Sequence, residues 1–359
     1  VTAYAELCVT SNFTFLRGAS HPEELVKRAA DLGLTAIAIT DRNSVAGVVR
    51  AFSALKELAR VAQETGQSQA GQEASLPRLI PGARLVLTDS PVEWLALPTD
   101  LAAWSRLTRL LSLGKRRAEK GSCHIGLADL EEWGRGMILI ALPPDPLEES
   151  GFEQDLLRVS ARFSGQCFLG AAPVYDGQDQ ERLDCLAGIS QATGLPKVAV
   201  GDVLMHRSSR RPVADVLTCI REGCTIDNIG DRRLANGEHR LKSGEELSRI
   251  FQRYPAALRR TVEIADRCTF RMDQLRYRYP DETKNGEPAQ ARLERLTREG
   301  LAWRYPDGAS EKVMSGIEKE LRLIAEVEYA PYFLTVYDIV SFARSKGILC
   351  QGRGLPPIP

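Results

Sequence analysis

Net charge is the first thing this 359-residue sequence lacks: 47 Lys and Arg stand against 47 Asp and Glu. Nucleic-acid binders usually carry a basic excess, so a DNA-binding face here has to be a local patch. Histidine is scarce, with only His21, His124, His206 and His239, all far apart. The eight cysteines (Cys8, Cys123, Cys167, Cys185, Cys219, Cys224, Cys268, Cys350) include no C-x-x-C pair, and the closest two, Cys219 and Cys224, are five apart. That argues against a zinc framework or a disulfide scaffold and for free thiols in a reducing compartment. Apolar runs are short of a membrane span, and the N-terminus has no signal-peptide pattern. A cytoplasmic protein with no membrane partner is the expectation.

What is present is ordinary for a globular protein: 43% hydrophobic and 26% charged residues. The length suggests two domains. The most readable unit runs from Tyr4 to Arg42. Ala5, Leu7 and Val9 alternate into a short strand, which leads to the polar loop Thr10-Ser11-Asn12-Phe13-Thr14-Phe15-Leu16-Arg17-Gly18. Ser20 is predicted to cap the following helix, with Pro22 in its first turn and Glu23 completing a capping box. Leu25, Val26, Ala29 and Ala30 recur at helical spacing, and Gly33 stops the helix. Thr35 to Thr40 reads as a buried parallel strand ending at Asp41-Arg42. Such a β-α-β unit places ligands at the carboxyl ends of its strands.

Downstream, helices are predicted over 44–62 and around Trp104, Leu107, Leu110 and Leu111, and strands over 78–87, 92–97, 137–142 and 167–171. Residues 63–75 read as an exposed loop. The densest cationic run, Gly114 to Gly121, also reads as a loop. Its Lys115, Arg116 and Arg117 are candidates for contact with a DNA backbone, against the simpler reading of a solvated turn. A helix over 182–193 precedes a strand over 195–203. From Pro212 the strands give way to helices over 213–221, 244–254, 256–268, 290–305 and 311–327.

The segment Glu6 to Gly18, followed by Ala38-Ile39-Thr40-Asp41, resembles the start of a PHP domain (polymerase and histidinol phosphatase). More narrowly it resembles the PHP domain that opens bacterial C-family DNA polymerases, above all their error-prone branch, and the similarity runs to Gly354. The resemblance implies an α/β fold, a distorted (β/α)7 barrel with a metal pocket at the strands' C-terminal ends, then a mainly helical segment and the beginning of a polymerase palm. It suggests a PHP domain over 1–211, a helical extension over 212–276 and the first part of the palm over 277–359.

Active PHP pockets use histidines and carboxylates to hold metals that activate water for phosphoester hydrolysis. Here the family's His-x-His positions are Cys8 and Thr10, and its next aspartate aligns with Arg17. Arg42 follows Asp41 in place of histidine. Arg84 stands for a glutamate, Glu93 for a histidine, and Leu204 for the histidine after Asp202. Asp41 and Asp202 survive, with Glu6 a possible neighbour. Arginine cannot shed its charge and opposes a cation, so no bound metal and a structural PHP domain are expected. His206 is the one histidine near enough in sequence to Asp202 to join it.

Gly352-Arg353-Gly354, after an Ile348-Leu349 strand, resembles the palm loop that grips the triphosphate of the incoming nucleotide. The family continues into a helix, whereas Leu355-Pro356-Pro357-Ile358-Pro359 disfavours one and suggests a shifted reading frame. The carboxylates that would hold catalytic Mg2+ lie beyond this point in the family, so no catalytic residue is assigned. The expectation is a piece of an error-prone, damage-tolerant DNA polymerase, inactive alone. DNA, dNTP, a sliding clamp and damage-response accessory proteins are the partners implied for the whole protein. The alternatives are a PHP-type metal phosphoesterase and a non-catalytic interaction module.

Overall fold

The computed structural model describes residues 2–64, 76–145, 147, 151–276 and 286–350. It forms two compact units, Val1–Leu275 and Arg276–Pro359. In the first, seven strands lie in sequence order in one sheet: β1 (Ala5–Val9), β2 (Ala36–Arg42), β3 (Arg78–Val86), β4 (Glu93–Pro98), β5 (Met137–Leu142), β6 (Cys167–Ala171) and β7 (Lys197–Ala199). Neighbours are parallel except around β4, which is antiparallel to β3 and β5. A parallel bridge between Val9 and Val203 then returns the chain to β1: Thr10 N donates to Val203 O at 2.8 Å, and Val203 N to Cys8 O at 2.9 Å. The curled sheet is the distorted α/β barrel.

Alternation along the strands sorts side chains into two layers. Ile37, Ile39, Trp94 and Leu139 face outward into the large core beneath the helices. Those helices are α1 (Pro22–Asp31), α2 (Ala46–Glu64), α3 (Leu101–Arg116), α4 (Leu127–Trp133), α5 (Phe152–Arg162) and α6 (Asp179–Thr193). Ala38, Ile80, Leu95, Ile138 and Ile140 face the barrel interior. Small residues let the interior close: a Cβ on Gly82 would stand 2.6 Å from Leu97 Cδ2. After α7 (Arg211–Glu222) and α8 (Gly244–Ile250), helix α9 (Pro255–Arg267) plugs the end where the strands begin. Its Ile264 and Ala265 join the inner core, Thr261 Oγ1 accepts from Ala5 N at 3.2 Å, and Cys268 O just past its end accepts from Arg78. The opposite end, where strands finish, stays open for a cavity.

Several local expectations change. Ser20 does not cap α1: the N-cap is His21, whose N–H donates to Glu24 at 2.9 Å, because Ser20 Oγ is taken by His206 Nδ1 at 2.8 Å. The cationic run after Leu113 is not all loop. Helix α3 continues to Arg116 because Gly114 packs so closely on Cys123 and Ile125 that a Cβ would clash, and Lys115 and Arg116 in its last turn suit the helix dipole. The strand expected over 195–203 shortens to β7, and α4 and α5 are additions. The loop called over 63–75 falls largely outside the described residues.

The second unit consists, among the described residues, of α10 (Ala289–Arg304), α11 (Glu311–Glu326) and α12 (Ala330–Ser345). Its core is small: Leu293, Ile324, Ala330 and Leu334. The expected Ile348-Leu349 strand is absent. Ile348 N turns back to Ala343 O at 2.9 Å, and Leu349 is 91% exposed. Gly352, Arg353 and Gly354, and the boundary at Tyr277 to Pro280, lie outside the described residues. No helix among the described residues is long and apolar enough to cross a membrane.

Candidate functional site

The strand ends bring Cys8, Thr10, Arg42, Arg84, Glu93 and Asp202 together. Parallel register sets Arg42 beside Arg84, and the antiparallel hairpin sets Glu93 near the end of β3. Arg84 Nη1 donates to Asp202 Oδ1 at 2.6 Å, and its Nε to Glu93 Oε2 at 2.5 Å. The other oxygen of Glu93 pairs with Arg42 Nη1 at 2.6 Å. Cys8 Sγ donates to Asp202 Oδ1 at 3.5 Å, and His239 Nδ1 lies 3.0 Å from Asp202 O. Burial works to raise the Asp202 carboxyl, but the charges of Arg84 and His239 hold it below its usual range. Burial opposes the charge on Arg84, yet Asp202, Cys8 and Glu93 raise its pKa overall. Burial, then the charge of Asp202, pushes the Cys8 thiol well up from its usual range.

Asp41 is engaged differently. Its Oδ1 accepts from Ser11 N (2.9 Å), Ser11 Oγ (3.0 Å) and Thr14 Oγ1 (2.8 Å). Ser11 Oγ also reaches Oδ2 at 2.8 Å, and Gly47 N at the start of α2 donates as well. Gly47 must be glycine for this approach, since a Cβ would lie 2.7 Å from Ser11 Oγ. Burial raises the Asp41 pKa despite these donors. Its lone pairs are spent on holding the loop from Thr10 to Gly18. Glu6 is likewise internal: Tyr4 OH donates at 2.7 Å, Cys8 N at 3.0 Å and Gly201 N at 3.1 Å, and burial lifts its pKa to about 7.

These donors do not fit a metal cluster. Glu93 and Asp202 face guanidinium groups, and Asp41 faces hydroxyls and amides. No three His, Cys, Asp or Glu side chains converge in a metal-holding group among the described residues. Leu204 presents an apolar wall where a histidine would be needed. His206 bonds Ser20 instead, and the histidine at Asp202 is His239.

A cavity of about 170 Å³ opens over this network, lined by Thr10, Arg17, Arg42, Arg84, Arg221 and Arg232 among others. It adjoins a second of about 580 Å³ that shares Arg17 and Arg42 and adds Phe13, Phe15, Lys115 and Lys120. Asn43 and Asp202, in the lining, have φ of 45° and 43°, a left-handed backbone that the surroundings impose. Of the cationic run, Lys115 lines the larger cavity, whereas Arg117 is clamped to both oxygens of Asp129 at 2.8 and 2.7 Å. Arg116 lines neither. Sequence reading missed Ser11 and Thr14, visible only as polar loop residues, and Arg221 and Arg232, which lie far along the chain and carry no local signal.

Comparison with known proteins accords with these features. Residues 6–146 match the PHP domain, and residues 291–355 match the bacterial DNA polymerase III alpha NTPase domain. The chain is 59% identical over 371 aligned positions to a protein of Ruegeria pomeroyi named error-prone DNA polymerase, covering 98% of this chain and 34% of that protein. It is 47% identical over 352 positions to the error-prone DNA polymerase of Caulobacter vibrioides, covering 98% and 31%. The chain therefore spans about a third of the length of the curated relatives it matches. Among solved structures, an amidohydrolase of Chromobacterium violaceum is 17% identical with a TM-score of 0.38, covering 55% of this chain and 86% of that one.

Proposed function

We infer, for a chain that belongs by sequence to the error-prone DNA polymerases and carries their PHP domain, that it serves template-directed, damage-tolerant DNA synthesis as part of a longer polymerase. The observation that carries this reading is the 59% identity maintained across 98% of the chain. In the whole protein, DNA and dNTP would be the substrates, Mg2+ the catalytic ion, and the cytoplasm the location. A sliding clamp and damage-response accessory proteins are the proposed partners. Gly352, Arg353 and Gly354 are proposed to meet the triphosphate.

Within that protein the PHP domain, proposed over 1–211 with a helical extension over 212–276, is a scaffold. Arg84 supports this reading, because its guanidinium ties Glu93 and Asp202 together in the position where a metal would need them. A fixed cation there repels a second one. The palm portion, proposed over 277–359, leaves apolar side chains such as Trp303 (77% exposed) and Phe342 (64% exposed) for further polymerase elements to cover.

The purified chain, incubated with primed DNA, dNTPs and Mg2+, should not extend the primer. With Mn2+ or Zn2+ it should neither retain stoichiometric metal nor hydrolyse a phosphodiester. Extension by the chain would overturn the assignment of synthesis to the longer protein. Metal-dependent hydrolysis would overturn the scaffold and favour the phosphoesterase alternative.

A further inference from the structure

We propose that the arginine-lined cavity at the barrel mouth is a metal-free phosphate site, which takes the phosphate of a nucleotide, free or within a single strand. The proposal rests on this chain's own side chains and stands whether or not the polymerase reading holds. Five guanidinium groups line the smaller cavity: Arg17, Arg42, Arg84, Arg221 and Arg232. Glu93 and Asp202 neutralise the Arg42–Arg84 pair, and Glu222 pairs with Arg221 at 2.9 Å. Among the described residues Arg232 donates only to the carbonyls of Ile229 and Asn228, and Arg17 makes no side-chain hydrogen bond or ion pair. Two positive charges are thus left over, which matches a phosphate dianion.

A second feature points into the same space. Thr10 Oγ1 is buried without any hydrogen-bond partner, its residue is 1% exposed, and it lines the cavity. A buried hydroxyl left unsatisfied is costly, and a phosphate oxygen would accept from it. Burial, then the neighbouring guanidinium groups of Arg42 and Arg221, holds Arg17 below its usual pKa, a repulsion that an anion would relieve. Guanidinium forks suit phosphate oxygens in bidentate geometry.

The larger cavity says what is attached to the phosphate. Arg17 and Arg42 continue into it beside Lys115 and Lys120, with Glu119 the only carboxylate in its lining. Phe13 and Phe15 line the same cavity, 37% and 81% exposed. Exposed aromatic rings next to cations are the combination that stacks a base and grips its phosphate.

The test is calorimetric titration of the intact chain in EDTA at low salt with inorganic phosphate, dTMP and the single strand dT10. Inorganic phosphate should bind without metal. Arg17→Glu should weaken it at least tenfold and Thr10→Val several-fold, while Arg116→Glu, outside both cavities, should change it less than twofold. Phe15→Ala should weaken dTMP and dT10 about tenfold and leave inorganic phosphate unchanged. If dT10 binds more than tenfold tighter than dTMP, a strand is the source. Equal affinities assign a free nucleotide. On the strand, Arg17→Glu should flatten the slope of log affinity against log salt by about 0.7. Thermal melts of each variant check that the fold is kept; Arg17 is exposed, so its charge reversal tests the site even if Thr10→Val repacks. No phosphate binding, binding that needs Mn2+ or Zn2+, or equal losses in Arg17→Glu and Arg116→Glu would overturn the proposal.

Discussion

The two units use the same kinds of residue to opposite effect. In Val1–Leu275 the apolar positions find partners on both faces of a curled sheet, giving an outer core under the helices and an inner one plugged by α9. Among the described residues of Arg276–Pro359 three helices of similar length share a core of four buried residues, and Ile339, Phe342 and Trp303 are left 62%, 64% and 77% exposed. Helix propensity therefore does not separate the units; the supply of a second surface does. A helix is stabilised mainly by packing its apolar face. The first unit closes on itself, and the second presents a face that the proposed remainder of a polymerase would cover.

The sharpest way to break this contrast is to remove the cation that ties the barrel mouth together. Arg84→Ala leaves Glu93 with Arg42 alone and Asp202 without an ion-pair partner. Losing one member of a fully buried pair costs about 3–5 kcal/mol, and this half-buried network should lose about 3 kcal/mol. Urea unfolding followed by fluorescence should show that loss in the first unit's transition only. A loss under 1 kcal/mol would mean that the network is ornamental. Core truncation comes next. Leu95→Ala in the inner core should cost about 2–5 kcal/mol, whereas Leu334→Ala, in a core that can collapse, should cost about 2 kcal/mol or less. Equal costs would contradict the difference in packing.

These contrasts also explain what the sequence made legible. Long apolar runs such as Thr35 to Thr40 and the stripe of α11 announce themselves by period, so the α/β pattern and most helices were readable, while the barrel came from the family resemblance. The replacements at Cys8, Thr10, Arg17, Arg42, Arg84 and Leu204 were readable as departures from a ligand set, yet what they do instead was not. Arg221 and Arg232 reach the pocket from beyond residue 210, and Asp41 turns out to be consumed by Ser11, Thr14 and Gly47. Such partnerships depend on side-chain directions that no local pattern encodes. Ser20 fits a capping pattern and was outcompeted by the imidazole of His206.

Protonation divides the pocket again. Glu6 has a folded pKa of about 7 against an ordinary 4.5, raised chiefly by burial. Its folded form therefore holds a proton that the unfolded chain has lost, and its contribution to stability falls as pH rises between those values, by about 3 kcal/mol at most. Asp202 has the opposite sign. Its folded pKa is depressed, so its contribution is present above the ordinary carboxylate pKa and lost on acidification. Glu6→Gln should flatten the decline of stability from pH 5 to pH 7 in the first unit. An unchanged pH profile would mean that Glu6 is ionised in the folded barrel.

The smallest effect concerns helix ends, where α3 of the first unit and α11 of the second differ in one hydrogen bond. In α3 the Asp100 carboxylate caps the first turn by accepting from Ala103 N at 2.7 Å. In α11 the residue at the same position is Ser310, with extended backbone suited to capping, yet its hydroxyl makes no capping bond. A formed cap is worth about 1 kcal/mol, since it satisfies an amide that the helix leaves open. Asp100→Ala should lower the first unit's stability by about that amount, and Ser310→Ala should shift the second by only a few tenths of that. Had both alanines cost the same, the capping bond of α11 would form in solution, and the weakness of the second unit would lie wholly in its thin core. A null result at Ser310 alone places part of it in the helix ends, so the pair of measurements separates poor packing from poor termination in the second unit.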